Sequence, residues 1–212
     1  MSVPEPTVQI VDDDESFLAA ISRLLRASGF AVRTFSSASE LLAACDADAP
    51  GCVLADVQMP GMNGLDLQAA LARTRNPLPI IFLTGHGDIP SSVRAMREGA
   101  VDFLEKRAPK EHLLDAVKRA LARDARDRAE RTRLGELRAR FDTLTARELE
   151  VLSHVVRGQL NKQIASDLGI HERTVKLHRT AVTTKLGVQS VAELTQLALE
   201  AGIFTPQPST FP

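Results

Sequence analysis

The chain has 212 residues, longer than one ordinary domain of about 100–150 residues, so two domains are the first expectation. Hydrophobic residues at 44% and charged residues at 25% fit a soluble globular protein, and no apolar run approaches the roughly 18 residues of a membrane span. The net charge of −1 is uneven: residues 1–122 carry 12 Lys/Arg against 16 Asp/Glu and residues 123–212 carry 14 against 11, a lead toward a nucleic-acid partner for the second half. The opening MSVPEPTVQIV lacks the features of a secretion signal. Cys45 and Cys52 lie in apolar stretches with no histidine near them, which argues against zinc and for buried, reduced thiols in a cytoplasmic protein.

In chain order, TVQIV (7–11) is a β-branched run of strand length. Phe17, Leu18, Ile21, Leu24 and Leu25 follow at helical spacing. AVRTF (31–35) reads as a second strand, and Ser37 with Glu40 forms an S-x-x-E capping box before Leu41, Leu42 and Cys45. CVLAD (52–56), PIIFLT (79–84) and VDFLE (101–105) are further strands, with helices expected near 64–74, 88–98 and from 110 onward. Five strands alternating with helices predict a doubly wound α/β domain on a parallel sheet, whose chemistry gathers at the carboxyl ends of the strands.

Residues 110–134 contain no Pro or Gly and predict one long helix leaving the first domain. Its would-be seam of Leu114, Val117, Leu121, Asp124, Arg128 and Arg131 turns polar halfway, which suits a solvated spacer or a weak dimer helix better than a strong coiled coil. From 142 to 204 the pattern is helical only. Thr145 and Glu148 make a second capping box, NKQIASDL (161–168) and ERTVKLHRTAVTTKL (172–186) flank a turn at Gly169-Ile170, and Gly187 closes the longer segment. Val191, Leu194, Leu197 and Leu199 supply a last helix. Two short helices around a Gly-centred turn describe a helix-turn-helix. The expected organisation is an α/β domain over 1–122, a helical linker over 123–141 and an all-α domain over 142–212.

Polar residues follow the apolar strands in a pattern. Asp12, Asp13 and Asp14 come after the first strand, Asp56 after the third, Thr84 ends the fourth and Lys106 follows the fifth. Three successive aspartates repel one another unless a cation sits among them, and oxygen ligands suit Mg²⁺. Such an ion would neutralise charge on a transferring phosphoryl group, with Lys106 and Thr84 as further donors and Asp56 as nucleophile. The bland alternative is a helix N-cap at Asp12–Glu15 and a turn residue at Asp56. Four features at four strand ends favour the first reading.

The segments VDDDES, LADVQMPGMNGLDL, LTGHGD and GAVDFLEK resemble the receiver domain of two-component response regulators, and NKQIASDLGIHERTVKLHRTAVTTKL resembles the LuxR-type helix-turn-helix. Together they resemble the FixJ/NarL family, with a FixJ-like receiver, over nearly the whole chain. The resemblance implies a phosphoacceptor at Asp56 and Mg²⁺ held by Asp13, Asp56 and the carbonyl of Gln58, with Asp12 assisting through water. Thr84 and Lys106 would bind the phosphoryl group, and Phe103 would be the switch aromatic. It implies a histidine kinase donor, double-stranded DNA as partner, a homodimer on activation through the fourth helix, fifth strand and fifth helix, and no enzyme activity beyond the receiver's own phosphorylation and dephosphorylation. In the DNA-binding half, Lys176, Leu177 and Thr180 are expected to face bases, with Arg179 beside them, while Arg173, Asn161, Lys162 and Lys185 contact the backbone. Val175, Val182 and Leu186 face the core. The 142–212 segment has seven basic and seven acidic residues, so a single copy should bind modestly and a dimer on paired half-sites is expected.

Two departures stand out. Arg107 occupies the position where the family usually has proline after Lys106, with the proline later at Pro109, so a trans bond is expected and the Lys106 loop could sit differently. His171 stands where the family more often has Ser or Thr as N-cap, and His86 is expected to be an exposed loop residue. The rival readings are a DNA-binding protein whose receiver is a dimer scaffold without phosphorylation, and a phosphatase using Asp56 as nucleophile. The latter lacks its D-x-D signature, because Asp56-Val57-Gln58 has no second acid.

Overall fold

Five runs of β-branched and apolar residues form one parallel sheet in the order β2-β1-β3-β4-β5. The strands are β1 (Thr7–Val11), β2 (Ala31–Phe35), β3 (Gly51–Asp56), β4 (Ile80–Thr84) and β5 (Asp102–Glu105). The structure, a computed structural model, describes residues 5–44, 46, 48–74, 77–85 and 89–204. Expectations for Cys45 and His86 therefore lie outside the described residues. The chain divides into two compact units, at Arg128/Ala129. No helix among the described residues is long and apolar enough to cross a membrane.

In the first unit, helices α1 (Glu15–Ala27), α2 (Ala38–Ala44), α3 (Gly64–Leu71), α4 (Ile89–Arg97) and the start of α5 (Lys110–Phe141) cover the sheet. Parallel strands covered on both faces carry apolar side chains on both. Val53, Ala55, Ile80 and Phe82 pack with Leu41, Leu67 and Ala95, whereas Cys52, Leu54, Ile81 and Leu83 pack with Leu18, Leu25, Leu113 and Val117. Burial pushes the Cys52 thiol up to about 12, with the Asp124 charge adding to it, so it stays protonated as an inert core residue. The predicted capping box at α2 is only half formed. Ser37 Oγ accepts from the Glu40 N–H, but the Glu40 carboxylate turns to the backbone and hydroxyl of Ser36. Helix α3 stops at Leu71, short of the expected 74, because the N–H groups of Arg73 and Thr74 close turns onto Ala70 and Leu71.

Helix α5 continues through Gly135 to Phe141, beyond the expected 134; its first half packs on the first unit, whereas none of residues 125–136 is buried. Leu113, Ala116, Val117 and Ala120 pack onto the sheet, and Asp124 continues that stripe as a buried residue. The Asp124 carboxylate accepts the Gly51 N–H at 2.9 Å and both its oxygens accept from Arg128 Nε, at 2.9 and 2.8 Å. Arg128 also donates to the Asp48 carbonyl at 3.0 Å. The polar stretch of the seam is thus a clamp that ties α5 to the amino end of β3.

The second unit packs α6 (Ala146–Val156), α7 (Asn161–Leu168), α8 (Glu172–Leu186) and α9 (Val191–Glu200) around Val151, Leu152, Ile164, Val175, Val182, Leu186 and Leu194. Leu137 and Phe141 from the end of α5 join this core. Of the apolar residues expected along the last helix, Leu194 and Leu197 pack inward, whereas Val191 and Leu199 are exposed. Glycines in the left-handed region end α7 and α8 at Gly169 and Gly187, as the sequence predicts.

The Asp124 clamp carries a stability prediction. Asp124→Ala leaves the Gly51 N–H and the Arg128 guanidinium without their acceptor, which costs about 2–3 kcal/mol. Glu98→Ala, which removes the exposed Arg94–Glu98 pair, stays within about 0.5 kcal/mol. Urea unfolding of the first unit in the full chain measures both.

Candidate functional site

Strand order 2-1-3 places the carboxyl ends of β1 and β3 side by side, with Val11 paired to Ala55. The next residues, Asp12 and Asp56, therefore meet at the point where the strand order reverses. The three aspartates after β1 divide their work. Asp14 is the N-cap of α1 and accepts the N–H groups of Ser16 and Phe17, so it is engaged in starting the helix. Asp12 is buried and Asp13 exposed, and one carboxylate oxygen from each of Asp12, Asp13 and Asp56 lies within 4.8 Å of the others.

One cation among the described residues faces this group. Lys106, just past β5, brings Nζ to 2.7 Å from Asp12 Oδ2 and 3.3 Å from Asp56 Oδ2, and lies 4.6 Å from the centre of the Phe17 ring. Burial pulls its ammonium down, but hydrogen bonding and charge from Asp12, then Asp56, outweigh that and hold it above an ordinary lysine. Burial pushes the Asp56 carboxyl up; the Lys106 charge opposes this and the Asp12 charge adds to it. Three carboxylates against one ammonium leave the site short of positive charge.

The loop after Asp56 is shaped by two glycines. Gly61 adopts a φ of 78°, which L side chains rarely reach. Gly64 opens α3 so close to β3 that a Cβ would stand 2.3 Å from the Asp56 carbonyl oxygen, and its N–H donates to Val57 O at 3.0 Å. Asn63 caps α3 by accepting the Asp66 N–H. Gln58 is exposed and shares a cleft with Asp13, Asn63 and Ser91.

Thr84 and Phe103 stand on another wall. Both line a groove of about 700 Å³ against α4, with Ile89, Val93 and Met96 opposite, and the Phe103 ring lies 6.0 Å from that of Phe82. The turn after β5 carries Arg107 outward, 80% exposed at its side chain and paired with Glu105 at 2.8 Å. The Lys106–Arg107 bond is trans, as expected, and Lys106 reaches the aspartates without a proline beside it.

A hard cation fits the acidic group on the structure's own terms. Asp12 Oδ2 is buried with the Lys106 ammonium 2.7 Å away, and among the described residues no further donor is directed at it, which leaves a lone pair for a cation. Carboxylate oxygens with a backbone carbonyl nearby are the donor set of Mg²⁺.

In the second unit, Arg173, Lys176, Leu177 and Thr180 are exposed at i, i+3, i+4 and i+7 on α8. Lys176, Thr180, Asn161 and Arg179 line one shallow groove, and Lys162 is exposed on the same first turn of α7 as Asn161. Arg179 Nη1 donates to Asn161 Oδ1 at 2.8 Å, so these two are joined to each other. Leu160, which no motif marks, lies in the same groove at 69% exposure. Its only signal was a large apolar residue in a Gly-Gln-Leu turn. The structure does not bring Lys185 to this groove. Its Nζ lies 2.7 Å from the buried Glu148 carboxylate and 3.2 Å from Thr143 O, and Glu148 closes the capping box with Thr145. His171 is the N-cap of α8 and forms no side-chain cap bond.

Two families match the chain in succession: "Response regulator receiver domain" over residues 8–118 and "Bacterial regulatory proteins, luxR family" over residues 142–198. The chain is similar to the response regulator protein TodT of Pseudomonas putida, at 43% identity over 93% of this chain and 87% of that one. It is similar to the transcriptional regulatory protein FixJ of Rhizobium meliloti, at 40% identity over 92% of this chain and 96% of that one. Among solved structures, the response regulator StyR superposes with a TM-score of 0.79 at 44% identity, covering 92% of this chain and 99% of that one.

Hydrogen bonds from Lys185, then from the Thr145 backbone, hold the Glu148 carboxyl below the usual range. A group with a lowered folded pKa stabilises fully above its unfolded value and loses that contribution as pH falls through the folded value. Glu148→Gln therefore lowers the urea midpoint of the second unit at pH 7, and the gap from wild type closes as pH drops below about 4. A gap that stays constant with pH would remove the ion pair from the explanation.

Proposed function

This chain belongs to the response regulators, a receiver domain followed by a LuxR-family DNA-binding domain, and we propose that it is a transcription factor switched by phosphorylation of Asp56. The proposed organisation is a receiver over 1–122, a helical linker over 123–141 and a DNA-binding domain over 142–212. The observation that carries the reading is the shortfall of positive charge around two buried carboxylates, Asp12 and Asp56, that share Lys106.

Asp56 Oδ attacks the phosphorus of a phosphohistidine on the partner kinase; the new P–O bond forms as the P–N bond breaks, and the imidazole nitrogen takes up a proton. Asp12, Asp13, Asp56 and the Gln58 carbonyl would hold Mg²⁺, which supplies charge neutralisation for the phosphoryl oxygens when bound. Lys106 lets go of part of its pairing with the carboxylates to meet the new dianion, and Thr84 donates its hydroxyl. The acyl phosphate adds roughly 1 to 2 negative charges to a buried corner. The switch moves Thr84 and, across the shared groove, Phe103, and so reshapes the face of α4, β5 and α5 that pairs two receivers. Phosphorylation biases an equilibrium already present, so a minor paired population exists without it.

Paired receivers bring two DNA-binding domains to adjacent half-sites on double-stranded DNA. Lys176, Leu177 and Thr180 face bases, and Arg173 and Lys162 meet phosphates. Asn161 meets the backbone with Arg179 holding its amide, and Lys185 serves first as the partner of Glu148.

Intact mass and size-exclusion elution, with and without Mg²⁺ and acetyl phosphate, test the switch on wild type and Asp56→Asn. One phosphoryl group on wild type alone, with a shift to dimer, is the expected result. Full metal and donor with no mass gain would contradict it and leave a constitutive DNA-binding protein with a scaffold receiver. For the DNA face, Arg173→Ala, at an exposed residue assigned to a phosphate, is expected to flatten the salt dependence of duplex binding by about one unit of log–log slope. Lys176→Ala, at a base-facing residue, is expected to relax specificity at one operator position, and an affinity loss uniform across duplex sequences would contradict that assignment.

A further inference from the structure

Helix α4 is attached to the receiver unit near one end. Ala95 is the only buried residue among its nine, while Ile89 at the other end is 76% exposed. The attachment is made at a carbonyl. Ala95 O accepts the Ala100 N–H at 3.0 Å, which closes the helix beyond Gly99, and also accepts from Gln68 Nε2 at 3.1 Å. Gln68 lies on α3 and is buried, and its own Oε1 finds no hydrogen-bond partner among the described residues. Leaving such an oxygen unpaired is costly. A methionine would fill the same space without that cost, so stability alone does not account for an amide here.

Helix α3 is in turn fixed to the acceptor loop. The Gly64 N–H bonds Val57 O at 3.0 Å, and the helix begins against the carbonyl of Asp56 itself. A continuous set of backbone and amide contacts therefore runs from Asp56 through α3 to the far end of α4, on the side of the sheet that holds Phe82 and Phe103.

We infer that Gln68 is a positioning residue that pins the carboxyl end of α4 to α3 and makes that end the pivot on which α4 reorients when the receiver switches. The inference rests on the phosphorylation switch proposed above. Movement is then concentrated at the amino end of α4, where Ile89 and Val93 line the groove with Thr84 and Phe103. The face that pairs two receivers swings from a fixed point.

Residue-resolved amide exchange on the full chain tests this. In resting wild type, the Ala100 amide should exchange at least tenfold more slowly than that of Val93, and Gln68→Met should erase the difference. Gln9→Met is the control, because Gln9 is also buried with an Oε1 that has no partner among the described residues but lies on β1, and it should leave the difference intact. With Mg²⁺ and acetyl phosphate, Gln68→Met should gain the same phosphoryl mass as wild type yet dimerise at least fivefold more weakly. A Gln68→Met protein that exchanges and dimerises like wild type overturns the inference. So does a wild type in which Val93 is as protected as Ala100, a comparison that stands even where the variant fails to fold. If wild type gains no phosphoryl group, the switch itself fails, while the resting exchange pattern still decides whether Gln68 pins α4.

Discussion

Two buried carboxylates sharing one ammonium are the constraint on which the receiver depends. Asp12 and Asp56 could be kept apart only by breaking the pairing of β1 with β3, which places them at adjacent strand ends. Lys106 reaches both only because β5 lies two strands away from β3 in the order 3-4-5 and its backbone bonds Thr84 O. Each neighbouring feature serves this corner. Asp14 caps α1 and removes one aspartate from the competition, Gly64 lets α3 close under Asp56, and Phe17 gives the Lys106 ammonium an aromatic face. Burying charge in this way is poor for stability and suits a site that waits for more charge.

Strand positions were legible because β-branched runs of four to six residues between helical spacings have few alternative readings; β1 and β2 fall on the residues expected. The acidic corner was legible because its residues follow strands, and the parallel order places strand ends together. Other features needed the third dimension. Asp124 and Arg128 have the i,i+4 spacing of an ordinary surface pair, and only the amino end of β3 beside them makes the pair a buried clamp. Gln68 and Ala95 are 27 positions apart, and no local pattern joins them. Glu40 shows the limit of motif reading: the spacing to Ser37 was right, yet the carboxylate prefers Ser36, whose N–H and hydroxyl are both in reach.

In the second unit, helical spacing separated Val175, Val182 and Leu186 in the core from the exposed residues on the opposite face of α8. It could not say how the basic residues divide their duties. Lys185 has the charge of a phosphate contact, but Glu148 lies 37 positions upstream and claims it. Arg179 likewise braces Asn161, so one cation of α8 joins two helices of the domain, while Arg173 and Lys176 are exposed at its surface, Lys176 with Glu172 3.7 Å away. Burial of a carboxylate, invisible in composition, decides which lysine is structural.

On the proposed reading, the Asp12–Asp13–Asp56 corner, short of positive charge, holds Mg²⁺ in the resting protein. Thermal unfolding of the full chain across a Mg²⁺ titration tests it directly, because a ligand that binds only the folded state raises the midpoint with its concentration. The wild-type receiver transition is expected to rise through the millimolar range, and Asp13→Asn, which alters an exposed carboxylate and no core contact, is expected to flatten the response. A wild-type midpoint indifferent to Mg²⁺, or one that rises equally in Asp13→Asn, would contradict it.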